Sequence, residues 1–249
     1  MNDREPFPTY RVDGDVVWYD HFLPKFEGKS LIGLINGMSR ASTVRILDLG
    51  AGDYTFAIDC HRRWPGKVAV TGISRDNFLT PERDQLVSNL GIQAYPIETI
   101  EVPQRLPPDF KMAVSVLTNI YDSQTDYVGV MWKMLTDGGV GLLDNLPLSS
   151  KVNPVKIEDT LRQEGYQVEI QSLYRSLPNR KTHSEKLISF KPAPDDQRFV
   201  YLKEIERLQD EQAKPPSKNI PPDITIAFRK DSRLGNLGSK ILELTQGSN

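Results

Sequence analysis

The chain has 249 residues, 38% hydrophobic and 26% charged, with a net charge of −2 and one cysteine, Cys60. That length accommodates one large domain, or a domain with an extension. No apolar run reaches the roughly 18 residues of a spanning helix, and a lone cysteine excludes an internal disulfide and a cysteine-based zinc site. The slight negative charge argues against bulk attraction to nucleic acid. The opening "MNDREPFPTY" lacks the basic-then-apolar pattern of a signal peptide, so the expected setting is cytoplasmic, with no membrane partner.

Residues 1–42 are polar and aromatic and carry a predicted helix near 27–38. Strands and helices then alternate. "TVRILDLG" (43–50) is a short β-rich run, and "YTFAIDCHRRW" (54–64) has helical spacing and stops at Pro65-Gly66. "KVAVTGI" (67–73) is the second strand. "TPERDQLVSNLG" (80–91) is a helix with Thr80 as N-cap, Pro81 at the first helical position and Gly91 as its stop. "IQAYPIE" (92–98) and the almost wholly apolar "FKMAVSVLTNIY" (110–121) read as strands three and four. "QTDYVGVMWKMLTDGG" (124–139) reads as a helix, "VGLLDNL" (140–146) as strand five and "VKIEDTLRQEG" (155–165) as an amphipathic helix.

"YQVEIQSLY" (166–174) and "EKLISFKP" (185–192) have no helical pattern between them, so they are expected to close the sheet as an antiparallel hairpin. The predicted architecture is α/β: a seven-stranded, mostly parallel sheet with helices on both faces, a C-terminal antiparallel hairpin and a helical or irregular extension. Its expected divisions are an N-terminal lid at 1–42, a Rossmann-like domain at 43–193, and a final segment at 194–249. That segment combines a charged helix (196–213), a Pro-rich stretch and a mobile or surface-draped tail from 224.

The first strand runs into "ILDLGAGDY" (46–54). Gly50 and Gly52 let the backbone approach a ligand, and the start of the following helix offers free N–H groups to an anion. A dinucleotide fingerprint requires a small residue six positions into the turn and an acid after strand two. Thr55 and Ser74 stand there, which disfavours a nicotinamide-dependent oxidoreductase.

An acid before spaced glycines resembles the first motif of the class I S-adenosylmethionine-dependent methyltransferases. "VAVTGISRDN", "YPIETIEVPQRLPPDFKMAVSVLTNIYDS", "MLTDGGVGLLDN" and "EKLISFKP" resemble the later blocks of that family, in order, over roughly residues 40–193. The resemblance implies S-adenosylmethionine as cofactor. Gly50, Ala51 and Gly52 would wrap its amino acid portion, and Asp48 would help position the amino group. Ser74 stands where the family places an acid on the ribose, with Asp76 two residues on. Ile97 and Glu98 match the adenine side. Thr118 and Asn119 would lie under the methyl donor. The chain departs from the family at Tyr54, in place of a third glycine, at Ser74, and at Lys111, where an acid is common.

Methyl transfer needs an aligned acceptor, and a base only if the acceptor must lose a proton; no catalytic residue is assigned. The acceptor implied is a small molecule or a protein. A methyltransferase fold without catalysis, acting as a binding or assembly module, is the alternative. Other candidates are Tyr121, Asp122, Asp144 and Asn145 at strand ends, His21 in "WYDHF", and His183 in the basic "NRKTH" (179–183). Each weighs against a plainer role as a cap, a loop residue or a packing group, such as the cluster of Trp18, Tyr19 and Phe22. No His, Asp or Glu cluster has metal-site spacing.

Overall fold

Apolar stretches that alternate between the periods of strand and helix build one sheet with helices laid on it. The computed structural model describes residues 15–74, 81–116, 125–144, 146, 153–173 and 223–246, with the side chains of Trp18, His21, Ser172, Leu173, Asp223 and Gln246 excepted. They fall in one unit formed by Val12–Leu173 and Asp223–Asn249. The strands are β1 (Val44–Leu49), β2 (Val68–Ile73), β3 (Gln93–Tyr95), β4 (Phe110–Ser115), β5 (Leu135–Leu143), β6 (Gln167–Leu173) and β7 (Asp223–Arg229). They form a seven-stranded sheet in the order β3-β2-β1-β4-β5-β7-β6. β1 to β5 run parallel to one another, and β7 is antiparallel to both β5 and β6.

The helices are α1 (Val16–Phe22), α2 (Leu31–Met38), α3 (Thr55–Arg63), α4 (Pro81–Asn89), α5 (Val102–Arg105), α6 (Tyr127–Met134), α7 (Pro154–Gln163) and α8 (Leu237–Gln246), with a 3-10 turn at Thr99–Glu101. Local chemistry sets several ends. Ser30, Asp126 and Asn153 cap α2, α6 and α7 by accepting from backbone N–H groups. His61, Arg62 and Arg63 fill the last turn of α3, where positive charge suits the helix dipole. α3 packs against β2, α4 against β3, α6 against β4 and β5, and α7 against β6.

The hairpin partner of β6 is corrected. It is β7, residues 223–229, lying between β5 and β6; the expected partner, 185–192, lies outside the described residues. The segment read as a draped tail therefore supplies a sheet strand and then α8. The reason is the alternation Ile224, Ile226, Phe228, all buried. The Phe228 ring covers Gly141, its register partner on β5, where a Cβ would fall 2.5 Å from Phe228 Cε1. The ring also packs on Trp132, with centroids 5.8 Å apart.

A second correction concerns 135–139. The stretch expected to finish a helix at Gly138-Gly139 is strand, because Gly138 N–H donates to Lys230 O at 2.8 Å and Lys230 N–H returns to Gly139 O at 2.8 Å. The helix expected at 196–213 and the Thr80 cap lie outside the described residues.

β6 is an outer strand, and α7 blunts it. Glu158 Oε2 accepts from Ile170 N–H at 2.6 Å, and Arg162 Nε donates to Val168 O at 2.9 Å. Two main-chain groups that a foreign strand could use are thereby occupied.

Candidate functional site

β1 is flanked by β2 on one side and β4 on the other, so the chain order reverses there. Crevices beyond the strand ends at such a reversal hold ligands in open α/β sheets. The turn after β1 lies at this point. Gly50 and Gly52 have φ of 86° and 54°, a region open to glycine and strained for most other residues. Gly50 and Ala51 N–H groups both donate to Ile73 O at 2.8 Å, tying the turn to the end of β2.

Asp48 is fully buried beside Gly72 of β2. Among the described residues its donor is Tyr19 of α1, whose hydroxyl lies 3.1 and 3.3 Å from the two carboxylate oxygens. The Tyr19 ring stacks on Phe56 in the first turn of α3, centroids 4.1 Å apart. Burial pushes the Asp48 carboxyl up to about 7, against the lowering pull of the Tyr19 hydrogen bond. Burial and the charges of Asp48, Asp53 and Asp144 hold the Tyr19 hydroxyl well above its ordinary value.

This gives a signed pH effect. Between the ordinary 3.8 and about 7, the folded chain keeps a proton on Asp48 that the unfolded chain loses. Stability from this group is therefore present at the acid end and lost as pH rises to about 7. The full swing is on the order of 4 kcal/mol. We expect Asp48→Asn to match the wild type below about pH 4 and to unfold at a higher temperature at pH 8. Parallel profiles of thermal midpoint against pH would refute this.

Tyr54 occupies the helix N-cap with φ 66° and ψ 19°. A non-glycine residue pays roughly 1–2 kcal/mol there. Its side chain makes no capping bond. The ring is buried and lies on Gly72, where a Cβ would fall 2.5 Å from Tyr54 Cδ1 and 2.8 Å from Ala51 Cβ. Burial and the nearby Asp48 charge push the Tyr54 hydroxyl up to about 12. Capping falls instead to Asp53, whose Oδ1 accepts from Thr55 N–H at 3.0 Å and Thr55 Oγ1 at 2.7 Å. Asp53 Oδ2 pairs with Arg83 Nη2 of α4 at 2.6 Å.

Ser74 is buried at the end of β2. Its N–H and that of Ile97 both donate to Tyr95 O, at 3.1 and 3.0 Å, which draws strands two and three together beside the turn. Ile97 is buried, and Glu98 is exposed, starting the 3-10 turn. Asp144 is buried just after β5, and its N–H donates to Ser115 O at 3.3 Å. Thr118, Asn119, Asp76, Tyr121, Asp122, Asn145, His183 and the basic run 179–183 lie outside the described residues, as does the side chain of His21.

Lys111 needs a correction. It donates to Ser42 Oγ ahead of β1, at the end of the sheet opposite the turn, so its replacement of an acid does not bear on this site. Tyr19, Asp53, Gly72 and Arg83 are the site residues that sequence reasoning missed as such. Only Gly72 carried a signal, a glycine inside a strand, which marks close approach of another group.

Among the described residues, no group of three or more His, Cys, Asp or Glu is placed to hold a metal ion, and no helix is long and apolar enough to cross a membrane.

A parallel sheet in this order with an inserted antiparallel β7, and a glycine turn after β1, is the fold of the class I S-adenosylmethionine-dependent methyltransferases. Among solved structures, the chain is similar to phosphoethanolamine N-methyltransferase 2 of Haemonchus contortus in complex with S-adenosyl-L-methionine, with TM-score 0.54 and 14% identity over 80% of this chain and 52% of that one. A second structure of that enzyme, with phosphomonomethylethanolamine and S-adenosylhomocysteine, matches with TM-score 0.52 and 13% identity over 80% and 53%. The chain spans about half the length of these structures. At such identity the likeness is one of fold. No protein-family model and no curated protein matches the sequence.

Proposed function

We propose that the chain binds S-adenosylmethionine at the turn after β1 and transfers its methyl group to a small-molecule or protein acceptor. One observation carries this reading: the buried acid Asp48 precedes two glycines at positive φ, at the point where the strand order reverses. A desolvated carboxyl with a titration point near 7 suits a cationic group, which would draw it into the charged form. The glycines suit close main-chain approach. When bound, the cofactor supplies an electrophilic methyl group on a sulfonium. The chain's part is to present the Asp48 carboxyl to the ammonium, keep the turn open to the amino acid portion, and present Ser74 to the ribose. The acceptor must be aligned behind the methyl group, a task of positioning.

Calorimetry with S-adenosylmethionine and S-adenosylhomocysteine tests the reading. We expect binding that is tighter at pH 8 than at pH 6, because Asp48 is ionised above about 7, and we expect Gly50→Leu to abolish it. Full affinity in Gly50→Leu would place the ligand elsewhere. No binding by the wild type at high micromolar concentration would favour a second reading, a non-catalytic binding module. The Tyr54 ring of the turn, lying over Gly72, is the observation on that side.

A further inference from the structure

Tyr54, the strained residue of the turn, stands between two residues gripped by one side chain. Arg83 Nε donates to the main-chain O of Asp53 at 3.1 Å. Its Nη2 donates to Asp53 Oδ2 at 2.6 Å and also to Thr55 Oγ1. Asp53 Oδ1 in turn holds the N–H and the hydroxyl of Thr55. The Asp53 carbonyl belongs to the peptide plane that sets φ of Tyr54, and the Thr55 N–H to the plane that sets its ψ. Both planes flanking Tyr54 are therefore fixed by one guanidinium–carboxylate pair. The carboxylate side chain is 3% exposed and the arginine 27%. A pair with its carboxylate held this far from water keeps its geometry, and loss of either partner weakens the neutralisation of the other. The planar fork of arginine suits several acceptors at once.

We propose that Arg83 is a positioning residue. It holds Tyr54 in the left-handed conformation and so keeps Gly50 to Gly52 in the shape a ligand meets. Arg83 touches no ligand in this role. Only the last link, from turn shape to affinity, rests on the cofactor reading above.

The test is a mutant cycle in the full chain. Arg83→Gln is made with Tyr54 and again with Tyr54→Gly, since glycine takes positive φ without steric cost. Two quantities are read: amide exchange at residues 53–56, and the dissociation constant for S-adenosylhomocysteine. With Tyr54 present, Arg83→Gln should speed exchange and weaken binding about tenfold. With Tyr54→Gly, both effects should shrink to less than about threefold, a pattern that simple loss of a stabilising pair would not give. Asp53→Asn, which weakens the pair from the other side, should show the same dependence on background, and it serves if Arg83→Gln does not fold. Equal effects in both backgrounds would overturn the proposal. Background-dependent exchange in a chain whose wild type binds no S-adenosylhomocysteine would uphold the clamp and overturn the cofactor reading.

Discussion

Deletion of residues 223–249 is expected to leave a chain that does not reach its native fold. β7 is not a terminal addition to the sheet; it lies between β5 and β6. Without it, Val140–Leu143 lose their pairing on one side, and β6 loses the one sheet partner it has among the described residues. The deletion also removes Ile224, Ile226, Phe228, Leu237 and Ile241, all buried. Each such side chain contributes roughly 1.5–3 kcal/mol on burial, so the sum is on the order of 10 kcal/mol. That equals the whole net stability of an ordinary domain, about 5–15 kcal/mol. Trp132 and Tyr166, which pack with Phe228 in one cluster, would be left facing water. Circular dichroism and dye binding of the shortened chain should report lost cooperativity and exposed apolar surface. A cooperative thermal transition at the wild-type temperature would show that the rest of the sheet stands without β7.

What was legible in the sequence was local, and what was not depended on partners distant in the chain. The run "ILDLGAG" declares β1 and its turn, because an apolar stretch must end where two glycines permit positive φ. "DITIAFR" (223–229) carries an equally clear period of two. It follows a Pro-rich stretch and stands in a tail with few large apolar residues, so its period of two does not by itself place it in the sheet. The strand character of Leu135–Gly139 could not be read locally, since its partner is Lys230, far along the chain. The site divides in the same way. Asp48, Gly50 and Gly52 announce themselves by spacing. The Tyr19 hydroxyl on Asp48 and the Arg83 grip on Asp53 join residues 29 and 30 positions apart, from α1 to β1 and from α4 to the turn before α3. Only the fold brings them together.

Gly72→Val is expected to destabilise the chain by about 3 kcal/mol, lowering the thermal midpoint by roughly 6–12 °C. The added atoms would enter space held by the Tyr54 ring and the Ala51 methyl. The ring has little freedom to withdraw: it is 3% exposed, and its backbone is fixed on both sides through Asp53 and Thr55. Tyr54 and Gly72 thus act as a complementary pair, with the glycine that the turn could have used placed in β2 instead. Tyr54→Gly alone relieves the backbone strain but empties a ring-sized space, at a cost of roughly 3–5 kcal/mol less the strain relieved. The double variant Tyr54→Gly/Gly72→Val should recover a large part of both losses, because the valine fills what the ring vacates. Strictly additive losses in thermal unfolding would deny the pairing. The same double variant separates the two functional readings. If the ring crowds the cofactor's amino acid portion, the swap tightens S-adenosylmethionine binding. If affinity is unchanged, the ring is core packing beneath a working site, and the exchange of glycine for tyrosine in the turn has no bearing on catalysis.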